Sequence, residues 1–319
     1  MGKYYIGIDI GGTNLKAGLV SDTGALLATA KTPLVWENEA EFVRTLAALS
    51  RKAAEKAGVP ESEIAAVGMG VPGEVDPRGG RIVYTPNIPI SDFSIEKSFR
   101  TDLDVPVYLG NDANCAALGE YHAGAGKGVR NLIVVTLGTG VGAGILLDGK
   151  LMTGANGAAG EAGHMVIEAG GVPCPCGRRG CWEQYSSAPA LRRMTCEAMQ
   201  AHPESALWRR CSGDLSRIGG RSAFQEARES GDETARAVCE RYVHYLALGI
   251  TNLINLFQPD MLCIGGGVSN EADEALLYPV QKLVERERYG SSRNSGLRVV
   301  KAQLGNDAGI IGAAFLAVE

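Results

Sequence analysis

Three thiols and an imidazole stand close together in this chain: His164 in GEAGH, then Cys174-Pro-Cys176-Gly-Arg-Arg-Gly-Cys181. Three cysteines and one histidine form a tetrahedral zinc set, and four protein ligands close the site, so the ion they would hold is structural. Close thiols in a chain without an export signal are better explained by a metal than by a redox pair or disulfides. Glu161 and Glu183 flank the cluster. A rigid metal loop would hold their carboxylates ready to accept hydrogen bonds from a polyol, with His164 orienting the pocket while it binds metal.

A second kind of chemistry is written in glycines. Gly11-Gly12-Thr13-Asn14, Gly138-Thr139-Gly140 and Gly265-Gly266-Gly267 each follow an apolar run. Such turns bring backbone N–H groups close to a ligand and suit phosphate oxygens, with a threonine hydroxyl as a further donor. None ends in the Gly-Lys-Ser/Thr of a Walker loop, and none opens a helix as G-x-G-x-x-G. Each alone also fits a plain hairpin; three in one chain favour phosphate. Asp9, beside the first turn, is placed to hold Mg²⁺ through water near those phosphates, or to cap the turn. Asn111-Asp112 lies where an apolar strand meets a helix. Both residue types are helix N-caps. A carboxylate at the end of a buried strand is also where α/β sheets place chemistry, and it suits a general base.

The elements that must position these groups follow from periodicity. YYIGID, LKAGLV and ALLATAKTPL read as strands around the first glycine turn, and NLIVVTL with AGILLDGKLM repeats the strand–turn–strand unit around the second. IAAVGMGVPG, VPVYLGND and PDMLCIGGG read as further buried strands. Helical spacing predicts helices over 39–57, 187–210, 221–230 and 232–257, and a short one in AGIIGAAFLAVE. Strands alternating with helices make this an α/β protein.

The bulk properties narrow the class. The 319 residues are 45% hydrophobic and 21% charged, the balance of a folded chain with room for two domains. A net charge of -5 argues against a nucleic-acid partner. No signal peptide or myristoylation site is read at the N-terminus, and the uncharged run Leu132 to Leu147 is broken by four glycines, so neither export nor a membrane span is expected. A cytoplasmic location follows. Cys115, Cys196, Cys211, Cys239 and Cys263 are scattered and read as small buried apolar side chains.

Taken together, GIDIGGTNLKAGLV, TLGTGVGAGI, GNDANCAALGE, GEAGH and CPCGRRGCWE resemble the ROK group of sugar kinases and sugar-responsive repressors over essentially the whole chain. The E-x-G-H and C-x-C-G-x-x-G-C-x-E signatures are the most specific. The resemblance implies an actin-like, hexokinase-like (ribonuclease H-like) fold of two α/β lobes closing a cleft over ATP and sugar, often as a homodimer. The expected lobes are 1–115 plus 305–319, and 116–304. It implies zinc on His164, Cys174, Cys176 and Cys181, and Asp112 as catalytic base. Sugar hydroxyls would be held by Asn87, Asn111, Asp112, Glu161, His164 and Glu183. ATP and Mg²⁺ would meet Asp9, Gly11, Gly12, Thr13, Asn14, Lys16, Gly138, Thr139 and Gly140, with Gly265, Gly266 and Gly267 near the nucleoside.

The implied reaction is ATP-dependent phosphorylation of a hexose. TLGTGVGAGI and ANGAAGEAGH look most like the glucose-phosphorylating bacterial members, so glucose is the expected substrate. N-acetylmannosamine, N-acetylglucosamine, fructose and allose are the alternatives, since pocket shape decides among them. A sugar-sensing repressor is disfavoured because the first phosphate loop lies within the first dozen residues, leaving no room for a DNA-binding helix pair. A shape-changing ATPase of the actin kind has no need of the cysteine loop.

Overall fold

The structure, a computed structural model, describes residues 3–86, 88–290 and 296–318. The chain forms two compact units. One comprises residues 1–134, 143–160 and 302–319, the other residues 135–142 and 161–301.

In the first unit, β1 (Tyr4–Ile10), β2 (Asn14–Ser21) and β3 (Leu26–Pro33) make an antiparallel meander, followed by α1 (Glu39–Lys56). Asn38 caps α1 by accepting from the Glu41 amide at 3.0 Å, and Glu39 and Glu41 sit in its first turn, where carboxylates suit the helix dipole. Phe42, Leu46, Leu49 and Ala53 bury one face of that helix. The chain continues through β4 (Ile64–Val71), the small sheet β5 (Glu74–Asp76), β6 (Arg81–Tyr84) and β7 (Ser91–Phe93), and α2 (Ile95–Phe99). It then enters β8 (Val107–Asn111), which runs directly into α3 (Asp112–His122).

The main sheet has the order β3-β2-β1-β4-β8, with β1, β4 and β8 parallel. Register aligns Asp9 with Gly70 and Val71 with Asn111, so the carboxyl ends of the three parallel strands share one edge. The central strands are buried on both faces, as parallel strands covered by helices must be.

The later elements are β9 (Leu132–Leu137), β10 (Val141–Leu147) and β11 (Lys150–Leu151), then α4 (Glu183–Ser186), α5 (Ala188–Ala201), α6 (Leu207–Arg210), α7 (Ser222–Glu229) and α8 (Glu233–Phe257). They are followed by β12 (Met261–Gly265), α9 (Leu277–Glu287), β13 (Arg298–Lys301) and α10 (Ala308–Phe315). The second sheet has the order β11-β10-β9-β12-β13. It repeats the first position by position: a meander whose first strand is followed in the sheet by two strands reached later in the chain. The duplicated architecture read from the two glycine hairpins is therefore present.

Three features differ from the sequence reading. The helix expected over 187–210 is two helices, because Pro203 holds His202 out of the helical region (φ -129, ψ 80) and stops α5. The short strands β5 to β7 and the helix α9 were not expected, although α9 carries helical apolar spacing in Leu277, Val280 and Val284. The compact units also divide the chain elsewhere than at 115/116 and 304/305. Helix α3 is continuous across 115, and a side chain at Gly312 of α10 would run into the Cys115 carbonyl. Side chains at Gly7 and Gly68 would strike the α10 backbone in the same way, so small residues let this helix lie against β1, β4 and α3. Glu120, fully buried at the end of α3, accepts from the amides of Ala125 (2.8 Å), Gln303 (2.9 Å) and Leu304 (2.8 Å).

Candidate active site

The first unit gathers its polar groups at the carboxyl edge of the parallel strands. Asn111 is the N-cap of α3: its Oδ1 accepts from Ala113 N (2.9 Å) and Asn114 N (3.3 Å), while its Nδ2 donates to Gly73 O (3.2 Å). Asp112, exposed, opens the helix and accepts from Ala113 N at 2.9 Å. The capping role and an outward-facing carboxylate thus fall on two successive residues. Asp9, half-buried, pairs with Lys16 at 3.5 Å across the β1–β2 hairpin. Burial raises the Asp9 carboxyl above its ordinary value, and the charge and hydrogen bond of Lys16 oppose that. Cys115 lies buried near both carboxylates; desolvation first, then the charges of Asp112 and Asp9, push its thiol well up, so it stays a neutral packing group.

The first glycine turn closes through Gly11 N to Asn14 O (3.0 Å), and Asn14 Nδ2 donates to Thr13 Oγ1 (2.9 Å). Gly12, Thr13 and Asn14 are exposed. In the second unit the equivalent turn closes through Gly138 N to Gly140 O (3.0 Å), with Thr139 exposed. Gly266 has φ +86, and a side chain there would collide with the Leu137 backbone, so the third turn lies against the second. All three turns expose backbone of the kind that binds phosphate.

The second unit also brings Glu183 to the second turn. Its Oε2 accepts from Val141 N at 3.3 Å and fills the space a side chain on Gly140 would take. Glu183 is anchored by its neighbour: Trp182 is fully buried, its Nε1 donates to Tyr245 O (3.0 Å), and Gly249 of α8 makes room for the indole. Glu161, exposed, precedes the 3₁₀ turn Ala162–His164, and its carbonyl accepts from His164 N at 3.1 Å. Gly163 packs on the Val141 carbonyl, which places this turn against the same hairpin.

His164, Cys174, Cys176 and Cys181 converge, with all four donor atoms within 4.8 Å of one another. Cys174 Sγ lies 3.7 Å from His164 Nδ1, and Cys176 Sγ lies 3.6 Å from Cys181 Sγ. Bonds of ~2.3 Å to a tetrahedral zinc put sulfur atoms ~3.8 Å apart, so the set fits this ion. The donors' electrostatics agree. As a thiol, Cys181 is pushed up to about 12 by desolvation first and then by its sulfur neighbours, while a hydrogen bond from the Arg178 backbone lowers Cys176. A dication replacing the protons removes that conflict. Around the donors, Arg178 Nη1 donates to His164 O (3.1 Å) and Gln184 Nε2 lies 3.8 Å from Cys174 Sγ. No local pattern marks either residue; only the folded loop does.

The profile of the ROK family matches residues 5–319. The chain belongs to the ROK family. Among its relatives is a glucokinase of Streptomyces coelicolor, 39% identical, with 98% of this chain and 97% of that one covered. A glucokinase of Halalkalibacterium halodurans is 36% identical, with 98% and 94% covered. A ROK family glucokinase from Streptomyces griseus, solved with glucose and AMPPNP, is 36% identical and superposes with a TM-score of 0.82 over 98% of both chains. The fold is thus the α/β, hexokinase-like fold of ROK sugar kinases, and the enzyme class is ATP-dependent sugar kinase.

Within this ROK chain, Asp9, the Gly11–Asn14 turn, Lys16, Asn111 and Asp112 lie in the first unit. The Gly138–Gly140 and Gly265–Gly267 turns, Glu161, His164, the three cysteines and Glu183 lie in the second. Asn87 lies outside the described residues. Of the scattered cysteines, Cys115, Cys211, Cys239 and Cys263 are buried as read, and Cys196 is half-buried. Among the described residues no helix is long and apolar enough to cross a membrane.

Proposed function

We propose that this chain transfers the γ-phosphoryl group of Mg-ATP to a hexose, with glucose as substrate and glucose 6-phosphate as product. The observation that carries this reading is the end-to-end likeness, at 36–39% identity, to glucokinases. The resemblance read from the sequence adds a homodimer, and a cytoplasmic location belongs to the same reading.

In this reading Asp112 takes the proton from the attacking hydroxyl, a step that suits an exposed carboxylate and typically supplies ~10²–10⁴ in rate. Asn111, Glu161, His164 and Glu183 hold the remaining hydroxyls, and Asn87 joins them. The backbone turns at Gly11–Asn14 and Gly138–Gly140 cradle phosphate oxygens, with Lys16 adding positive charge and Gly265–Gly267 beside the nucleoside. Asp9 faces the magnesium that arrives with ATP, through water. Stabilising charge on the phosphates is the main catalytic demand in such a transfer. His164, Cys174, Cys176 and Cys181 would hold zinc, whose contribution is rigidity of the loop that carries Glu183.

The test is ADP release by the purified chain with Mg-ATP over glucose, mannose, fructose, allose, N-acetylglucosamine and N-acetylmannosamine. Glucose turned over far above the rest is the expected result. A different preferred sugar would redirect the substrate assignment. Silence across the panel from folded, zinc-loaded protein would instead point to a sugar sensor.

A further inference from the structure

Behind Asp112, the first turn of α3 carries a polar side chain that none of these roles uses. Asn114 is 3% exposed, and its carboxamide oxygen has no hydrogen-bond partner among the described residues. Helix capping does not require it, because its backbone amide already donates to Asn111 Oδ1. Buried acceptors without partners are rare and costly, so one held beside a reactive carboxylate calls for a use.

The surroundings suggest that use. Asn114 lines a cavity of about 210 Å³ together with Asn111, Thr153 and Gly157. A side chain built on Gly160 would begin 3.9 Å from the orphan oxygen. The stretch between Thr153 and Gly160 is closed by Ala159 N to Thr153 O (3.1 Å) and turns on Gly154, Gly157 and Gly160 at φ +75, +87 and +90. Left-handed glycines give such a segment freedom to shift with little steric cost. The next residue is Glu161.

We propose that Asn114 is a positioning residue for the sugar site: with sugar bound, its carboxamide oxygen accepts a hydrogen bond from a backbone amide of the Gly154–Gly160 segment and thereby fixes Glu161. The inference rests on the reading of Glu161 as a sugar ligand. It gives the orphan acceptor its partner in the state where the segment must be still.

The test compares wild type with Asn114→Leu, which keeps the approximate volume and removes the acceptor. Sugar KM is expected to rise about tenfold, the worth of roughly 1.4 kcal/mol, while ATP KM stays within about twofold and the melting temperature does not fall. Amide exchange over 153–161 slows on adding glucose to wild type and does not slow in Asn114→Leu at saturating glucose. Equal sugar KM and equal protection in the two proteins would overturn the proposal. A parallel rise in both KM values with a lowered melting temperature would also overturn it, reducing Asn114 to a structural role. Wild type that phosphorylates none of the panel sugars defeats the functional reading and this inference with it, whereas an active wild type leaves only Asn114 at stake.

Discussion

The Glu183 carboxylate occupies the space beside Gly140 that any side chain there would need, while accepting a hydrogen bond from Val141 at 3.3 Å. A residue two positions after Cys181 is thereby set against the second glycine turn. The glycine at 140 makes room for the carboxylate, and in the proposed function it also leaves the backbone free to approach phosphate.

Gly140→Ala is therefore expected to push Glu183 aside without unfolding the chain. A displacement of about 1 Å in a positioning group costs on the order of 10²-fold in rate. Steady-state kinetics should show kcat/KM for the sugar falling by about that factor, with zinc content and melting temperature near wild type.

Zinc should copurify as a single ion held by His164, Cys174, Cys176 and Cys181. Cys181→Ser should lose it, by elemental analysis, and lower the melting temperature, because the binding energy of a structural metal is folding energy. Sugar KM should rise along with it, since Glu183 follows Cys181 by two residues. A chain that stays zinc-free and fully stable would defeat the assignment.

Asp112→Asn keeps an oxygen for the 2.9 Å hydrogen bond from Ala113 but removes the base. The expected fall in kcat is ~10²–10⁴, with ATP binding and urea stability unchanged. Near-normal turnover would exclude Asp112 as the proton acceptor.

Asp9 gives a pH prediction. Burial raises its carboxyl above 3.8 and Lys16 draws it back down. A carboxyl raised by folding binds its proton more tightly folded than unfolded, so ionising it costs stability as pH climbs above its ordinary value. Lys16→Met removes the opposing charge and deepens that cost. The urea-stability gap between the variant and wild type should be near zero below pH 3.8 and open toward neutrality, reaching about 1 kcal/mol or less for so accessible a pair. A gap independent of pH would show that Lys16 acts through packing alone.

Much of this protein is local, and local features are legible in the sequence. Each glycine turn is announced by its own residues, because the backbone conformation and the missing Cβ are properties of that position. The cap at Asn111, the close spacing of Cys174, Cys176 and Cys181, and the helix over 233–257 are of the same kind. Helix α5 shows the limit of even this reading: apolar spacing continued through Pro203, whose effect on His202 ended the helix.

Other relations needed the folded chain. That α10 lies against β1, β4 and α3 depends on Gly7, Gly68 and Gly312 meeting backbone from distant segments, and no window of sequence contains both partners. The same holds for Glu183 against Gly140 and for Trp182 under Gly249. Asn114 is the sharpest case. In the sequence it is one more polar residue in a helix turn, and only burial made its oxygen an acceptor in want of a donor. The sequence by itself determined which chemical groups exist and the short-range geometry around each one, since bonded neighbours set both. The tertiary structure alone decided which of them touch, because contacts between residues far apart in the chain are set by packing.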